Sequence, residues 1–128
     1  MAVVIGISVG VSVFIHLERS GSTEAKLVQA SQYMNARLPM NVDSSTRWDT
    51  TAPGPGNCLT YYYTLVNVSK REIDPEEIIA KMKPKILLNY RTSPDMKVFR
   101  DNHVTLRYMY RDKFGETVTV IEVSPNDL

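Results

Sequence analysis

Two parts of the chain each contain a pair of segments in which apolar and polar residues alternate, joined by residues that favour a turn. The first pair covers 40–50 and 58–68, on either side of a Pro/Gly-rich stretch at 52–57. The second pair covers 103–111 and 117–123, around a short turn that contains a glycine. A period of two is typical of a strand with one buried face. Each pair therefore predicts an antiparallel β-hairpin.

A first amphipathic helix is predicted ahead of the first hairpin. Ser22 or Thr23 can cap its start, and Pro39 ends it because the residue before a proline is pushed away from helical geometry. Apolar residues recur between these limits at three- and four-residue spacing, which predicts one buried stripe: Leu27, Ala30, Met34 and Leu38.

A second helix is predicted between the hairpins, beginning at Asp74-Pro75-Glu76-Glu77. Asp can cap free backbone N–H groups, Pro fits the first helical position, and the two glutamates lie at the positive end of the helix dipole. Ile79, Met82 and Ile86 form its stripe, and Pro84 predicts a kink or an early stop. The order α-β-β-α-β-β predicts an α+β domain with one antiparallel four-stranded sheet packed on helices.

The segment 2–17 carries no Lys, Arg, Asp or Glu and is rich in Val and Ile. As a helix it would be about 24 Å long, against about 30 Å for a membrane core. We expect an apolar membrane anchor over 1–19, a linker over 20–22 and a single α+β domain over 23–128. A cleaved signal peptide and a buried element are the alternatives. Gly6 and Gly10 have the spacing that lets two membrane helices approach closely, which predicts self-association through the anchor.

Composition argues against several functional classes. Fifteen basic and fourteen acidic residues nearly cancel, so no net field would attract nucleic acid. One cysteine, Cys58, and two histidines, His16 and His103, do not have the spacing of a metal site. No phosphate loop or nucleophile–base pair is recognisable. We therefore expect no cofactor and no enzymatic activity.

Aromatic and basic residues on the predicted strands are the clearest indication of a binding role. Tyrosine commonly packs its ring inside and leaves its hydroxyl at the edge of the core. The alternative is an exposed surface of the composition enriched at binding hot spots. That alternative predicts a partner surface made of Trp48, Tyr62, Arg107, Tyr108, Tyr110 and Arg111.

The segments LPMNVDSSTRWDTTAPGPGNCLTYYYTLVN and SPDMKVFRDNHVTLRYMYRDKFGETVTVIEVSP resemble a group of small, largely uncharacterised bacterial proteins that are membrane-anchored or exported. A looser resemblance is to type IV pilin-like subunits, although the glutamate expected early in their apolar segment is absent. Small domains with a single anchor usually work outside the cytoplasm, so we expect a single-pass protein of the bacterial inner membrane with its domain on the extracytoplasmic side.

The predicted function is a non-enzymatic binding or assembly module that acts through protein–protein contacts. One alternative is a small-ligand-binding or enzymatic domain of the cystatin-like type, with Asp95, Asp101 and His103 converging on a pocket. A further alternative is an immunity protein that neutralises a toxin.

Overall fold

A five-stranded mixed sheet forms the centre of the computed structural model, which describes residues 22–128. Its strands lie side by side in chain order, from β1 at one edge to β5 at the other. The elements are α1 (Thr23–Asn35), β1 (Met40–Asn41), β2 (Thr46–Gly54), β3 (Cys58–Leu65), α2 (Pro75–Thr92), α3 (Lys97–Asp101), β4 (Thr105–Arg111) and β5 (Thr117–Val123). Short 3-10 turns at Lys70–Glu72, Pro94–Met96 and Pro125–Asp127 connect or end them. The α+β class is therefore confirmed.

The local start and turn signals are confirmed. Ser22 caps α1, its hydroxyl accepting from the Ala25 N–H at 3.2 Å. Asp74 caps α2, its carboxylate accepting from the Glu76 N–H at 3.0 Å, and Pro75 occupies the first turn. Gly115 has φ +84° in the β4–β5 turn, a conformation that other residues adopt at a cost. These signals can be recognised in the sequence because each acts on the backbone within a few residues.

The prediction that Pro84 stops the second helix early is wrong. The helix continues for 18 residues, from Pro75 to Thr92. A proline removes one backbone donor, but Ile86 and Tyr90 beyond it are fully buried in the core. Tertiary packing of the second half of the helix therefore outweighs the local cost.

The prediction of an antiparallel four-stranded sheet is also wrong. The two hairpins exist, but β3 and β4 pair in parallel, with Tyr61 opposite Tyr108. The long connection through α2 carries the chain back to the starting end of β3, as a crossover between parallel strands requires. Asn57 fixes that end, because its side-chain amide donates to the carbonyls of Asn102 and His103 at 2.8 and 3.0 Å.

The fifth strand comes from the segment 40–50, which was predicted as one strand. The chain instead turns at 42–45 and folds back, so that Met40 pairs with Trp48. The Asp43 carboxylate holds this turn by accepting from the Ser45 N–H at 2.8 Å. Alternation alone does not distinguish one long strand from a short strand that reverses.

The buried residues form one cluster between the helices and one face of the sheet. The helices contribute apolar residues at helical spacing: Leu27, Ala30 and Met34 from α1, Ile78, Met82, Ile86 and Tyr90 from α2, and Phe99 from α3. The strands contribute alternate residues, chiefly aromatic and branched. The other face of the sheet is named the open face below.

The predicted anchor over 1–19 and the Gly6–Gly10 pair lie outside the described residues. Within 22–128, no helix combines the length and the apolar composition needed to cross a membrane.

Candidate functional site

The covered face of the sheet carries a layer of stacked aromatic rings. Tyr61 lies 4.8 Å from Tyr108, and Tyr63 lies 5.2 Å from Tyr110, between ring centroids. Trp48 extends the layer, with its ring 5.6 Å from that of Tyr61. The parallel register of β3 and β4 produces this stacking, because it places the tyrosines directly opposite each other. Such pairs contribute about 0.5–1.5 kcal/mol each beyond the area they bury.

Burial sets the ionisation of these tyrosines. It raises the pKa of Tyr61, Tyr63 and Tyr108 well above the ordinary value, and neighbouring tyrosines add to the effect. The pKa of Tyr110 is raised by burial first and by the Asp43 carboxylate second. The rings are therefore neutral packing groups, unsuited to act as general bases at neutral pH.

The open face carries polar and charged side chains over its whole width. Its residues alternate along the strands with the core residues, and Asp49, at the irregularity in β2, is placed there by its contacts with Arg47 and Thr64. They are Arg47, Asp49, Thr50, Ala52, Cys58, Thr60, Tyr62, Thr64, Arg107, Met109, Arg111, Val120 and Glu122. No described helix contributes a buried residue to this side, since all of them belong to the single core on the other face.

Four contacts organise the open face. Arg47 pairs with Asp49, and the Thr64 hydroxyl donates to the same carboxylate. Arg111 lies over the Tyr62 ring, with its guanidinium carbon 5.0 Å from the centroid. Arg107 pairs with Glu122 at 3.1 Å, although both side chains are at least half exposed. The charges alternate in sign across the face, so this surface matches a mixed polar partner better than a polyanion.

The six residues predicted as a partner surface are divided between the two faces. Tyr62, Arg107 and Arg111 lie on the open face. Trp48, Tyr108 and Tyr110 lie in the core with almost no exposed area. In the core these large rings bury more area against the helices than they could at a surface position. Tyr108 and Tyr110 alternate along β4 with Arg107 and Arg111, so the tyrosines lie on the opposite face from the arginines. The structure adds Met109, Val120 and Glu122 to the open face, where Met109 lies opposite Tyr62, Val120 opposite Met109 and Glu122 opposite Arg107. The sequence signal for them is their alternation with core residues along β4 and β5.

The residues considered for a pocket do not converge. Asp101 and His103 are exposed, and Asp101 pairs with Lys97 on its own helix. That hydrogen bond, outweighing partial burial, lowers the pKa of Asp101. Cys58 is buried at one end of the open face, and burial raises the pKa of its thiol despite the nearby Arg107. A thiol of raised pKa is a poor nucleophile. Within 22–128, no group of three or more His, Cys, Asp or Glu residues could hold a metal ion.

A shallow depression lies on the outer side of α2. It has a volume of about 490 Å³ and is lined by Ile79, Ala80, Lys83, Pro84, Leu87 and Arg91. Leu88 is exposed on the same helix. No polar groups converge in it in the way that fixes the orientation of a small ligand.

The β4–β5 turn is held by one carboxylate. Asp112 is buried and accepts from the backbone N–H groups of Lys70, Phe114 and Glu116 at 2.8 to 2.9 Å. Burial alone would raise its pKa, but these donors outweigh burial and hold the pKa of Asp112 below its ordinary value. This carboxylate has a structural role, since its acceptors are occupied by the backbone.

Comparison with solved structures finds the same fold in bacterial proteins. A crystal structure of an inferred secreted protein from Pseudomonas aeruginosa matches with a TM-score of 0.66, at 10% identity over 81% of this chain and 90% of the other. The type 2 secretion system pilotin EpsS of Vibrio vulnificus matches with 0.63, at 10% identity over 81% and 89%. The type II secretion system pilotin AspS of Vibrio cholerae matches with 0.62, at 10% identity over 83% and 92%. At this identity the likeness is one of fold.

No curated protein matches the sequence. One protein family does, and the match extends over residues 22–119. That range contains the first hairpin, the three helices of the described residues, β4, the first three residues of β5 and most of the open face. The chain therefore belongs to the family described as a domain of unknown function, DUF8479.

Proposed function

We propose that the protein is a non-enzymatic binding module that works outside the cytoplasm by contacting another protein through the open face of its sheet. The observation that carries this proposal is the open face itself, where Tyr62, Met109 and Arg111 lie side by side without a covering helix. Sheets of this size usually cover one face and leave the other to water or to a partner. Aromatic residues, Met and Arg are the types enriched in protein interfaces.

The fold likeness supports the same proposal. Two of the three similar structures are pilotins of the type II secretion system, and the third is an inferred secreted protein. A shared fold does not transfer a function, so the residues of this chain must carry the argument. We extend the proposal to the compartment, with the expected anchor over 1–19 holding the domain at a membrane. Reporters fused after Leu128 and ahead of Met1 would test that orientation.

The cystatin-like alternative has no observation in its favour among residues 22–128. It required Asp95, Asp101 and His103 to converge on a pocket. None of the three lines the depression on α2, and none lines a second depression beside the β4–β5 turn, formed by Ser69, Lys70, Arg71, Asp112, Phe114 and Glu116.

The test is partner capture by the full chain, expressed in its native cells and crosslinked before lysis. The double variant Tyr62→Ala/Arg111→Ala removes the cation–π pair of the open face while leaving the core intact. We expect it to reduce recovery of the partner at least tenfold. The matched control is Lys81→Ala/Lys85→Ala, because both lysines are exposed on α2, away from the open face. Equal recovery by both double variants, or capture of no protein, would overturn the proposal.

A further inference from the structure

The outer strand β5 presents an edge on which no described residue pairs. It is the last strand of the sheet, and its backbone groups bond only to β4 within 22–128. A bulge disturbs the start of the strand, where the register shifts between Tyr110 and Arg111. Regular pairing then continues from Thr119 to Val123. Five residues give an edge of about 17 Å, an ordinary strand length.

Alternation in antiparallel pairing decides which backbone groups face outward. The Asp112 N–H donates to the Glu116 carbonyl, which starts the alternation at the turn. When this alternation is continued past the bulge, Thr119, Ile121 and Val123 are the residues whose backbone N–H and C=O groups bond to β4. Val120 and Glu122 therefore direct their N–H and C=O groups away from the sheet.

Beyond the bulge at its start, this edge has little of the usual protection against strand addition. Natural edge strands carry proline, lysine or a covering element. β5 reads TVTVIEV, with no proline, no basic residue and a single charge at Glu122. Its composition is close to the optimum for strand formation. Val120 is exposed on the same strand.

We propose that an extended segment of a partner protein adds to the edge of β5 as a sixth strand. This inference rests on the proposed function and names the mode of contact. Unpaired backbone groups at alternate positions are complemented by the backbone of another extended chain. The side chains of the added strand then specify the partner, because alternate ones extend over the open face beside Val120 and Glu122.

Charge complementarity identifies the chemistry of that segment. Glu122 pairs with Arg107 yet keeps 56% of its side chain exposed. An incoming strand therefore gains most from an apolar residue beside Val120 and a Lys or Arg beside Glu122. A second copy pairing through its own β5 supplies no cation, since the strand contains no Lys or Arg. The occupant is thus a basic, apolar segment of a different protein.

The experiment places a photo-crosslinking amino acid in the full chain, in native cells, either at Val120 or at Thr50, which lies on the open face opposite Tyr62. We expect crosslinks from Val120 to one protein, mapped by mass spectrometry to a five- to seven-residue segment with a basic residue. A synthetic peptide of the mapped segment should slow hydrogen exchange of the Val120 and Glu122 amides at least tenfold. The same peptide with alternate backbone nitrogens methylated should not.

Two substitutions separate backbone pairing from side-chain contact. Val120→Pro removes an N–H that has no acceptor among the described residues, and Val120→Thr keeps it with a β-branched side chain. We expect Val120→Pro to reduce peptide affinity at least tenfold and Val120→Thr to change it less than threefold. Val120→Lys serves as a second blocking variant if the proline variant unfolds.

The remaining outcomes overturn the inference in distinguishable ways. Crosslinks from Val120 to a second copy, or to residues 1–21 of the same chain, would assign the edge to another occupant. Crosslinks from Thr50 alone would reject strand addition and leave the open-face proposal standing. Absence of crosslinks from both positions would reject both proposals.

Discussion

The two edges of the sheet are built differently. One is formed by the two-residue strand β1 and by the part of β2 that β1 does not cover, and the other is formed by β5. At the β2 edge, β1 covers the first residues, where Met40 and Asn41 pair with Trp48 and Arg47. Farther along β2, Pro53 has no backbone N–H that could bond to an added strand. At the β5 edge, residues 22–128 supply no such cover. The contrast indicates that one edge is closed by the chain itself and the other is left for pairing.

A side chain completes the closed edge. The carboxamide of Asn35, at the end of α1, accepts from the Thr51 N–H at 2.8 Å and donates to the Thr51 carbonyl at 3.0 Å. One amide thereby reproduces both hydrogen bonds that a neighbouring strand would make. Ser31 adds a bond of 3.1 Å to the same carbonyl. The helix therefore protects the β2 edge by packing and by mimicry of a strand.

The largest expected effect follows from removing that amide. Asn35→Ala leaves the Thr51 N–H and hydroxyl without this partner, so we expect a loss of about 1–3 kcal/mol in the free energy of unfolding. Urea denaturation at pH 7 measures it. Gln32→Ala, on the exposed side of the same helix, is the control and should change stability by about 0.5 kcal/mol or less. Equal losses in both variants would show that Asn35 does not protect the edge.

The two edges should also differ in their response to acid. The closed edge is held by uncharged groups, whereas the β4–β5 turn depends on ionised Asp112. Because the folded-state pKa of Asp112 is below its ordinary value of 3.8, its contribution is fully present above that value. The contribution is lost as pH falls through the lower, folded-state pKa.

Hydrogen exchange at pH 6 and at successively lower pH tests this difference. We expect the Lys70, Phe114 and Glu116 amides to lose protection as the pH falls, while the Thr51 amide keeps most of its protection. Asp112→Asn at pH 6 should reproduce the acid behaviour at the turn. Parallel loss at Thr51 and at the turn would mean that acid unfolds the whole domain and that the edges do not differ in this way.

Sequence reasoning predicted the features that depend on near neighbours. The caps at Ser22 and Asp74, the glycine at 115 and both hairpins all follow from spacing within a few residues. Alternation also places Tyr61 and Tyr62 on opposite faces of the sheet, and likewise Arg107 and Tyr108. It does not say which rings the helices cover, so half of the predicted partner surface lies in the core.

The rest depends on contacts between distant residues. The parallel pairing of β3 and β4 is fixed by Asn57 reaching residues 102 and 103, 45 and 46 positions away. The closed edge depends on Asn35 meeting Thr51. Whether a strand lies at an edge follows from strand order, which no local pattern encodes. The spacing of residues in the sequence therefore could not predict the contrast between the two edges, although it does predict that TVTVIEV is a strand.

The smallest expected effect concerns the open edge in the isolated domain. If the outward groups of β5 meet only water, then Val120→Thr changes no hydrogen bond and little packing, since Val120 is exposed. We expect the free energy of unfolding to change by about 0.5 kcal/mol or less. Val118→Thr on the same strand is the matched control, because Val118 is buried in the core and the same substitution there should cost about 1–2 kcal/mol. Thermal and urea unfolding of both variants measure the difference. A loss at Val120 as large as that at Val118 would show that the Val120 side chain is already packed against another part of the chain, so that β5 would be covered on the open face.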